Sequence, residues 1–229
     1  MYRNYGKRLI DAILSLMALL ILGPLLLLVG ILVKWTSRGP ILYWQERVGR
    51  DGHIFRIAKF RSMVANADKQ GIGITVSGDT RVTGFGSFLR MSKMDELPQL
   101  WNVLTGKMSL VGPRPELPQY VSEYTPEQRR VLSVRPGITD LASIRYRHEE
   151  AILAGSDDPE QFYRRVVLPD KLTLNLQYVR DMSLPLDIKL VIQTITSLFK
   201  SPISVTSKHG LTSGTSAAAL SGDKNSRGR

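Results

Sequence analysis

Residues 12–33 carry no charged side chain. A helix over this run is about 33 Å long, enough for a hydrocarbon core of about 30 Å. It is too long for a signal-peptide apolar region, and no small-x-small cleavage site follows it. Membrane residence is therefore the strongest constraint on how the chain folds. Gly23 and Pro24 stand in the middle of the run. Proline removes a helix hydrogen bond and clashes with the preceding turn, so a break or kink is expected there. Arg3, Lys7 and Arg8 precede the run; Lys34, Arg38, Arg47, Arg50, Arg56, Lys59 and Arg61 follow it. Lys and Arg concentrate on cytoplasmic flanks, and here both flanks are basic. Two geometries satisfy these facts. One is a hairpin with both ends in the cytoplasm, the other a kinked single span, since transmembrane helices tolerate proline.

The rest of the chain is an ordinary folding sequence with an excess of positive charge. Among 229 residues, 31 Lys+Arg against 20 Asp+Glu give a net charge of +11. Such a charge calls for an anionic partner: a membrane surface, a nucleic acid or a phosphorylated substrate. There is no cysteine, which excludes disulfides, a thiolate nucleophile and Cys-ligated metal. The histidines, His53, His148 and His209, are too scattered for a His-based metal motif.

Residues 41–48 and 53–63 are β-prone and flank the turn signal Gly49-Arg50-Asp51-Gly52, which predicts a hairpin. Residues 64–83 are polar and Gly-rich and read as a loop with a short helical stretch. Residues 84–106 read as helical material in which Ser92, Asp95 and Pro98 compete to mark a start and Gly106 marks a stop. Three prolines and a glycine exclude regular helix over 109–118. Thr125-Pro126-Glu127-Gln128 and Asp158-Pro159-Glu160-Gln161 are helix-start signals. A last helix begins near Pro185. Its apolar positions Ile188, Val191, Ile192, Ile195, Leu198 and Phe199 follow helical spacing. That face either packs on the core or lies in the membrane interface with Lys189 and Lys200 towards headgroups. Residues 201–229, rich in Ser, Thr, Gly and Ala, are expected to be disordered.

The adjacent Asp95-Glu96 is the best acidic candidate. Neighbouring carboxylates at a helix start do not project to one point, so one can attack while the other binds a cation. A helix N-terminus favours the ionised form, which a nucleophile or a magnesium ligand requires. An ordinary N-cap with a solvated neighbour satisfies the same spacing. The basic residues tilt the reading towards phosphoryl chemistry. Lys59 and Arg61 share a strand face by the period of two, and Arg90 lies five residues before the pair. Arg114 is held between Pro113 and Pro115, and Arg135, Arg145 and Arg147 follow. Guanidinium groups bind phosphate oxygens bidentately. A generally basic face against anionic lipid accounts equally for the charge count.

Four motifs between residues 59 and 140 resemble the bacterial sugar transferase family, the monotopic phosphoglycosyl transferases. They are Lys59-Phe60-Arg61-Ser62-Met63; residues 92–104, centred on Asp95-Glu96-Leu97-Pro98; Met108 through Pro115, which contains Pro113-Arg114-Pro115; and Arg135-Pro136-Gly137-Ile138-Thr139. The basic-flanked N-terminal segment and Leu186-Asp187-Ile188-Lys189 extend the resemblance over about residues 3–200. The short N-terminal region is similar to the small form of the family, without an added four-helix membrane region. The resemblance implies a re-entrant membrane helix broken at Gly23-Pro24, where many relatives carry Ser-Pro. It implies transfer of a sugar phosphate from a UDP-sugar to polyprenol phosphate, undecaprenyl phosphate being the expected acceptor, with release of UMP. Asp95 is the implied nucleophile and Glu96 the Mg²⁺-associated glutamate, with Asp95 as a further metal ligand. Lys59, Arg61, Arg90, Arg114 and Arg147 are the implied phosphate-binding residues. After Thr139 the match loosens: Asp140-Leu141-Ala142-Ser143 and Tyr146-Arg147-His148 replace the Gly-Leu-Ala-Gln and Gly-Arg-Asn of many relatives.

The expected fold is α+β and mostly helical. It comprises a re-entrant anchor (1–38), a catalytic domain (39–200) with a small β-hairpin and amphipathic interfacial helices around a cytoplasmic active site, and the tail (201–229). The expected location is the bacterial inner membrane with the catalytic domain on the cytoplasmic face. Membrane lipids and a second copy of the chain are expected partners, and nucleic acid is not. A non-enzymatic basic adaptor is the alternative, but it leaves the Asp-Glu pair beside a proline-locked Arg unexplained, and no aromatic-basic RNA motif is present. A two-carboxylate glycosidase needs its carboxyl groups about 5–10 Å apart across a sugar, which suits adjacent residues badly.

Overall fold

The computed structural model describes residues 2–67 and 73–198. A π turn, Tyr2–Gly6, leads into α1, Lys7–Thr36. This helix is continuous through Gly23 and Pro24, so the expected helix-break-helix is not an interruption of helical structure. Proline withdraws a single hydrogen bond, which a helix can lose without ending. Ser15 donates to the Ala12 carbonyl at 3.1 Å.

The buried positions of α1 fall at its two ends: Lys7, Asp11 and Ser15 on one face, then Val29, Gly30 and Val33. None between residues 16 and 28 is buried. At the first end Lys7 pairs with Asp187, and Arg8 donates to the carbonyls of Val103 and Leu104, both at 2.7 Å. Asp11 accepts from Ser109 Oγ at 2.7 Å and from the Leu110 amide at 3.2 Å. At the second end Val29 and Val33 pack with Phe60 and Leu89. Both ends of α1 are thus fastened to one body.

The predicted hairpin forms from β1, Leu42–Val48, and β2, Ile54–Phe60, antiparallel with Tyr43 opposite Lys59 and Val48 opposite Ile54. Its turn bends at Asp51, with φ 55°, and Gly52. The strand β2 lacks a second neighbour along part of its length, and a side chain substitutes for one. Helices α2, Gly84–Met91, and α3, Gln99–Leu104, follow the hairpin. Asn102 of α3 accepts from the Ala58 amide at 3.0 Å and donates to the Arg56 carbonyl at 2.8 Å. Asn102 is 2 % exposed, so water does not reach these bonds if the side chain is lost. Asn102→Leu should therefore cost about 2–4 kcal/mol, one unsatisfied donor and one acceptor. A lowered unfolding midpoint of the purified chain checks this; an unchanged midpoint contradicts it.

Between α2 and α3 the chain does not start a helix at Asp95. Ser92 closes α2, Lys93 takes a left-handed conformation at φ 58°, Met94–Glu96 form a 3-10 turn, and Pro98 caps α3. The expectation of Asp95 as a cap is corrected: proline suits the helix start, where no amide partner exists. The stop at Gly106 is as expected, Thr105 being the last capping residue.

Two short strands, β3, Ser109–Val111, and β4, Gly137–Thr139, pair in parallel. The loops beside them touch: a Cβ on Gly137 would lie 2.1 Å from the Gly112 amide nitrogen, so only glycine fits. After β3 comes α4, Pro118–Val121. The start signal at Thr125 forms a reciprocal cap with Gln128, at 2.9 and 3.2 Å, but opens a 3-10 stretch, Gln128–Ser133, rather than an α-helix. The remainder is helical: α5 Leu141–Arg145, α6 Glu149–Ala154, α7 Pro159–Phe162, α8 Leu168–Asp181 and α9 Leu184–Leu198. Asp158 caps α7 through the Gln161 amide, as predicted. One core gathers Tyr120, Leu153, Tyr163, Val167 and Leu172; a second gathers Val111, Tyr178 and Leu190.

The apolar face of the last helix, for which packing on the core and lying in the interface are both open from sequence, is divided in the structure. The helix meets the core through Leu186, Leu190 and Val191, while Ile188, Ile192 and Ile195 are more than half exposed. Phe199, Lys200 and the expected disordered tail lie outside the described residues, as does part of the 64–83 loop.

Candidate active site

Two stretches far from it in sequence converge on Glu96. The end of β2 brings Lys59, whose ammonium lies 3.1 Å from Glu96 Oε1. The loop after β3 brings Arg114, whose guanidinium grips both carboxylate oxygens, with Nη1 3.2 Å from Oε2 and Nη2 on Oε1. The 3-10 turn supplies Glu96 and, beside it, Asp95, which is 5 % exposed.

Local structure aims each of these groups. Close contact between the chain after β2 and the first turn of α2 holds Lys59 near the 3-10 turn. Thr83 caps α2 by accepting from the Gly86 amide at 3.0 Å and donates its own amide to the Ser62 carbonyl at 3.0 Å. A Cβ on Gly86 would sit 1.9 Å from that carbonyl. Arg114 is fixed by more than its flanking prolines. Its amide donates to Asp140 Oδ2 at 2.6 Å, and the other oxygen of Asp140 accepts from the Ser143 amide to cap α5. Asp140 is fully buried and makes both bonds.

The two adjacent carboxyls are driven apart electrostatically. Burial alone would raise Glu96, but the charges of Arg114 and Lys59, with Arg114's hydrogen bonds, hold it well below the usual carboxylate range. Asp95 is pushed up, first by burial and then by the negative charge of Glu96, against the opposing pull of Lys59, Arg90 and Lys93. Its Oδ1 is buried without a hydrogen-bond partner. The helix-terminus effect expected to favour ionised Asp95 is thus overridden, because its short 3-10 turn offers no cap bond and burial dominates. Burial also lowers Lys59, with Glu96 opposing. Separated titrations of neighbouring acids let them take different roles.

Among the residues expected to bind phosphate, Lys59 and Arg114 join the pair directly. Arg90 is near enough for its charge to act on Asp95, but it pairs with Glu150 of α6 at 2.5 Å, and its Nε is buried without a partner. Arg61 is drawn elsewhere. It lies past the end of β2 and donates to the Ser37 carbonyl and hydroxyl, each at 2.7 Å, and to the Pro40 carbonyl, bracing the exit of α1. The two-residue period that placed it beside Lys59 ends with the strand. Arg147 is half-buried in the turn between α5 and α6.

Mg²⁺ takes oxygen ligands, often one or two carboxylates plus substrate phosphates. The buried orphan oxygen of Asp95 beside Glu96 fits that demand. Among the described residues no group of three or more His, Cys, Asp or Glu forms a metal cage, so substrate oxygens and water would complete the coordination.

A supporting layer escaped the sequence reading. Arg47 of β1 donates to the Pro115 carbonyl at 3.2 Å and lies 3.6 Å from Glu116. Glu116 in turn accepts from Tyr163 at 2.8 Å and Lys171 at 3.4 Å. The one available signal was an acidic residue directly after Pro113-Arg114-Pro115. Two buried acids that fasten α1 lack a sequence signal as well: Asp11 within the helix, which accepts from Ser109 and Leu110, and Asp187, which pairs with Lys7.

Residues 2–201 match the family model described as bacterial sugar transferase. The chain is 42% identical over 200 residues to an undecaprenyl-phosphate glucose phosphotransferase of Komagataeibacter xylinus, covering 82% of this chain and 35% of that protein. It is 36% identical over 197 residues to a UDP-N-acetylgalactosamine-undecaprenyl-phosphate N-acetylgalactosaminephosphotransferase of Aeromonas hydrophila, covering 84% and 43%. Against the exopolysaccharide production protein PSS of Rhizobium leguminosarum it is 37% identical over 198 residues, covering 83% and 94%. The chain therefore spans well under half the length of the first two relatives and nearly all of the third.

Proposed function

Because the chain belongs to the bacterial sugar transferase family, we propose that it transfers a sugar 1-phosphate from a UDP-sugar to undecaprenyl phosphate in two steps through Asp95. The observation that carries this reading is the buried pair itself: Glu96 is neutralised by Lys59 and Arg114, while Asp95 keeps an unpartnered oxygen beside them. In the first step a carboxylate oxygen of Asp95 attacks the phosphorus that bears the sugar. The bond from that phosphorus to the bridging oxygen breaks, and UMP leaves. In the second step an oxygen of the lipid phosphate attacks the same phosphorus and expels the carboxylate, giving undecaprenyl diphosphate sugar. Lys59 and Arg114 hold the negative charge of Glu96 and remain close to the phosphoryl oxygens as charge builds. Mg²⁺, held by Glu96 and Asp95, would supply charge neutralisation at the diphosphate. Arg90 can exchange Glu150 for a substrate phosphate.

The acceptor's phosphate lies at headgroup level, so the site must face the membrane surface. Ile188, Ile192 and Ile195 of α9 are exposed apolar side chains on one helix, as are Phe88, Met91 and Trp101 elsewhere, and such side chains are suited to lie in the interface. We read α1 as re-entrant. A straight 30-residue helix is about 45 Å long and, crossing the membrane, would carry its ends to opposite sides. Here Arg8 and Asp11 at one end and Val29 and Val33 at the other all fasten to the same domain. This supports entry and exit on the cytoplasmic face of the inner membrane.

Magnesium-dependent UMP release from a panel including UDP-glucose and UDP-N-acetylgalactosamine tests the reaction; no release from any UDP-sugar would favour the adaptor reading. Single-cysteine labelling in intact cells tests the topology, the native chain having no cysteine. Cysteine at position 2 should be shielded from periplasmic reagent, and Pro24→Leu should shift the helix towards full spanning; periplasmic labelling at position 2 in the otherwise native chain overturns the hairpin.

A further inference from the structure

A cavity of about 250 Å³ opens beside the first turn of α1. Arg3, Lys7, Arg8, Arg50 and Arg135 line it, and Asp11 is the sole carboxylate among its lining residues. Neighbouring acids do not restore the balance. Lys7 pairs with Asp187, and Arg50 with Asp51 at 3.1 Å. That leaves Arg3, Arg8 and Arg135 sharing Asp11, both of whose oxygens already accept from Ser109 and Leu110. Arg8 and Arg135 are oriented by neutral carbonyls, those of Val103 and Leu104 for the first and of Gly106, at 2.9 Å, for the second. These bonds fix the guanidinium groups without cancelling their charge. Burial, reinforced by the charges of Arg50 and Arg8, lowers the pKa of Arg135 against the opposing pull of Asp11, as expected where cations outnumber their counter-charge.

The cavity is separate from the Asp95–Glu96 pair. Arg50 sits in the turn that closes the β1–β2 hairpin, whereas Lys59 lies five residues beyond Ile54, about 17 Å along β2. The cavity also has a defined depth. Its rim is the basic segment that immediately precedes the uncharged run of α1, so it opens where the chain enters the membrane.

We infer that this cavity is a second anion site, and that it seats the phosphodiester of an anionic phospholipid headgroup as the anchor enters the bilayer. Pre-oriented guanidinium groups bind phosphate oxygens in a fork that ammonium groups cannot reproduce. A free phosphate compound offers the same oxygens, but the position at the membrane entry favours a phosphate already held there. The inference does not depend on the chemistry assigned to Asp95.

The test uses the full chain purified in neutral detergent, with phosphatidylglycerol and phosphatidylcholine added in equal amount and retained lipid read by native mass spectrometry. Phosphatidylglycerol should be retained preferentially. Arg50→Gln removes the positive charge of a half-exposed side chain that lines the cavity, and should lower that retention about fivefold, the value of one cation near a headgroup. Arg3→Gln should act in the same direction. Arg165→Gln, on an exposed position before α8, should leave retention unchanged. Equal loss in Arg50→Gln and Arg165→Gln, or no preference in the unaltered chain, would mean diffuse surface charge and overturn the site. Glycerol 3-phosphate added without lipid supplies the other arm: if it binds and displaces phosphatidylglycerol, the site serves soluble phosphates and the lipid assignment fails.

Discussion

Asp95→Asn is expected to abolish UMP release from a UDP-sugar while leaving the fold intact. The substitution keeps size and shape but removes the attacking anion, and loss of a nucleophile typically costs at least about a thousandfold in turnover. Stability should move the other way. The native site holds Asp95 above its unfolded pKa, through burial first and then Glu96. A carboxyl raised in this manner lowers stability once pH rises through the ordinary carboxylate range, because the unfolded chain ionises more readily than the folded one. Asn carries no such penalty, so its unfolding midpoint at neutral pH should equal or exceed that of the native chain. The same shift places the acid limb of kcat/KM for the first half-reaction above the usual carboxylate range, since that limb reports the free enzyme's essential base. Parallel loss of activity and stability in Asp95→Asn would contradict the assignment.

Arg114→Lys is expected to lower turnover by about a hundredfold, within the range seen when a fixed charge-stabilising donor is removed. The guanidinium spans both oxygens of Glu96, with one contact at 3.2 Å and the other shorter, and lysine can serve only as a point charge. Folding should survive for two reasons. The positive charge remains, so Glu96 is not left buried among fewer counter-charges than it needs. The bond from residue 114 to Asp140 comes from the backbone and persists with any non-proline side chain. Circular dichroism and the unfolding midpoint check the fold, and UMP release checks turnover. Near-native turnover would remove Arg114 from the catalytic account.

Local rules made some of this visible in the sequence. The turn at Gly49–Gly52, the Thr125 and Asp158 caps and the Gly106 stop depend on neighbours within four residues, and each appears in the structure. Lys59, Asp95, Glu96 and Arg114 were named because they sit in recognisable motifs, and the fold brings all four together. What the sequence withheld depends on distant partners. Asn102 reads as one polar residue of a short helix, and only the docking of α3 on β2 makes it the strand's missing neighbour. The β3–β4 pair joins segments on either side of two helical stretches and relies on two glycines in contact. Arg61 looked equivalent to Lys59 by alternation, but the chain leaves the strand between them and the Ser37 and Pro40 carbonyls claim it. Asp95 looked like a helix cap because acids favour first turns, yet burial and the left-handed Lys93 put it in a 3-10 turn with a bare oxygen. The apolar face of α9 leaves core packing and exposure open in sequence, and only the fold divides it, with Val191 on the core and the isoleucines exposed.

The central claim is that Asp95 becomes covalently attached to the phosphosugar before the lipid acceptor takes part. The most direct measurement incubates the full chain with a UDP-sugar it accepts and Mg²⁺, without polyprenol phosphate, and follows both UMP and the mass of the protein. The account predicts a burst of at most one UMP per active site and a matching mass increase of one sugar phosphate. The label should map to Asp95, be released by hydroxylamine, and be absent from Asp95→Asn. Strict dependence of UMP release on added polyprenol phosphate, with no adduct under any trapping condition, would mean direct transfer in a ternary complex and would contradict the role given to Asp95.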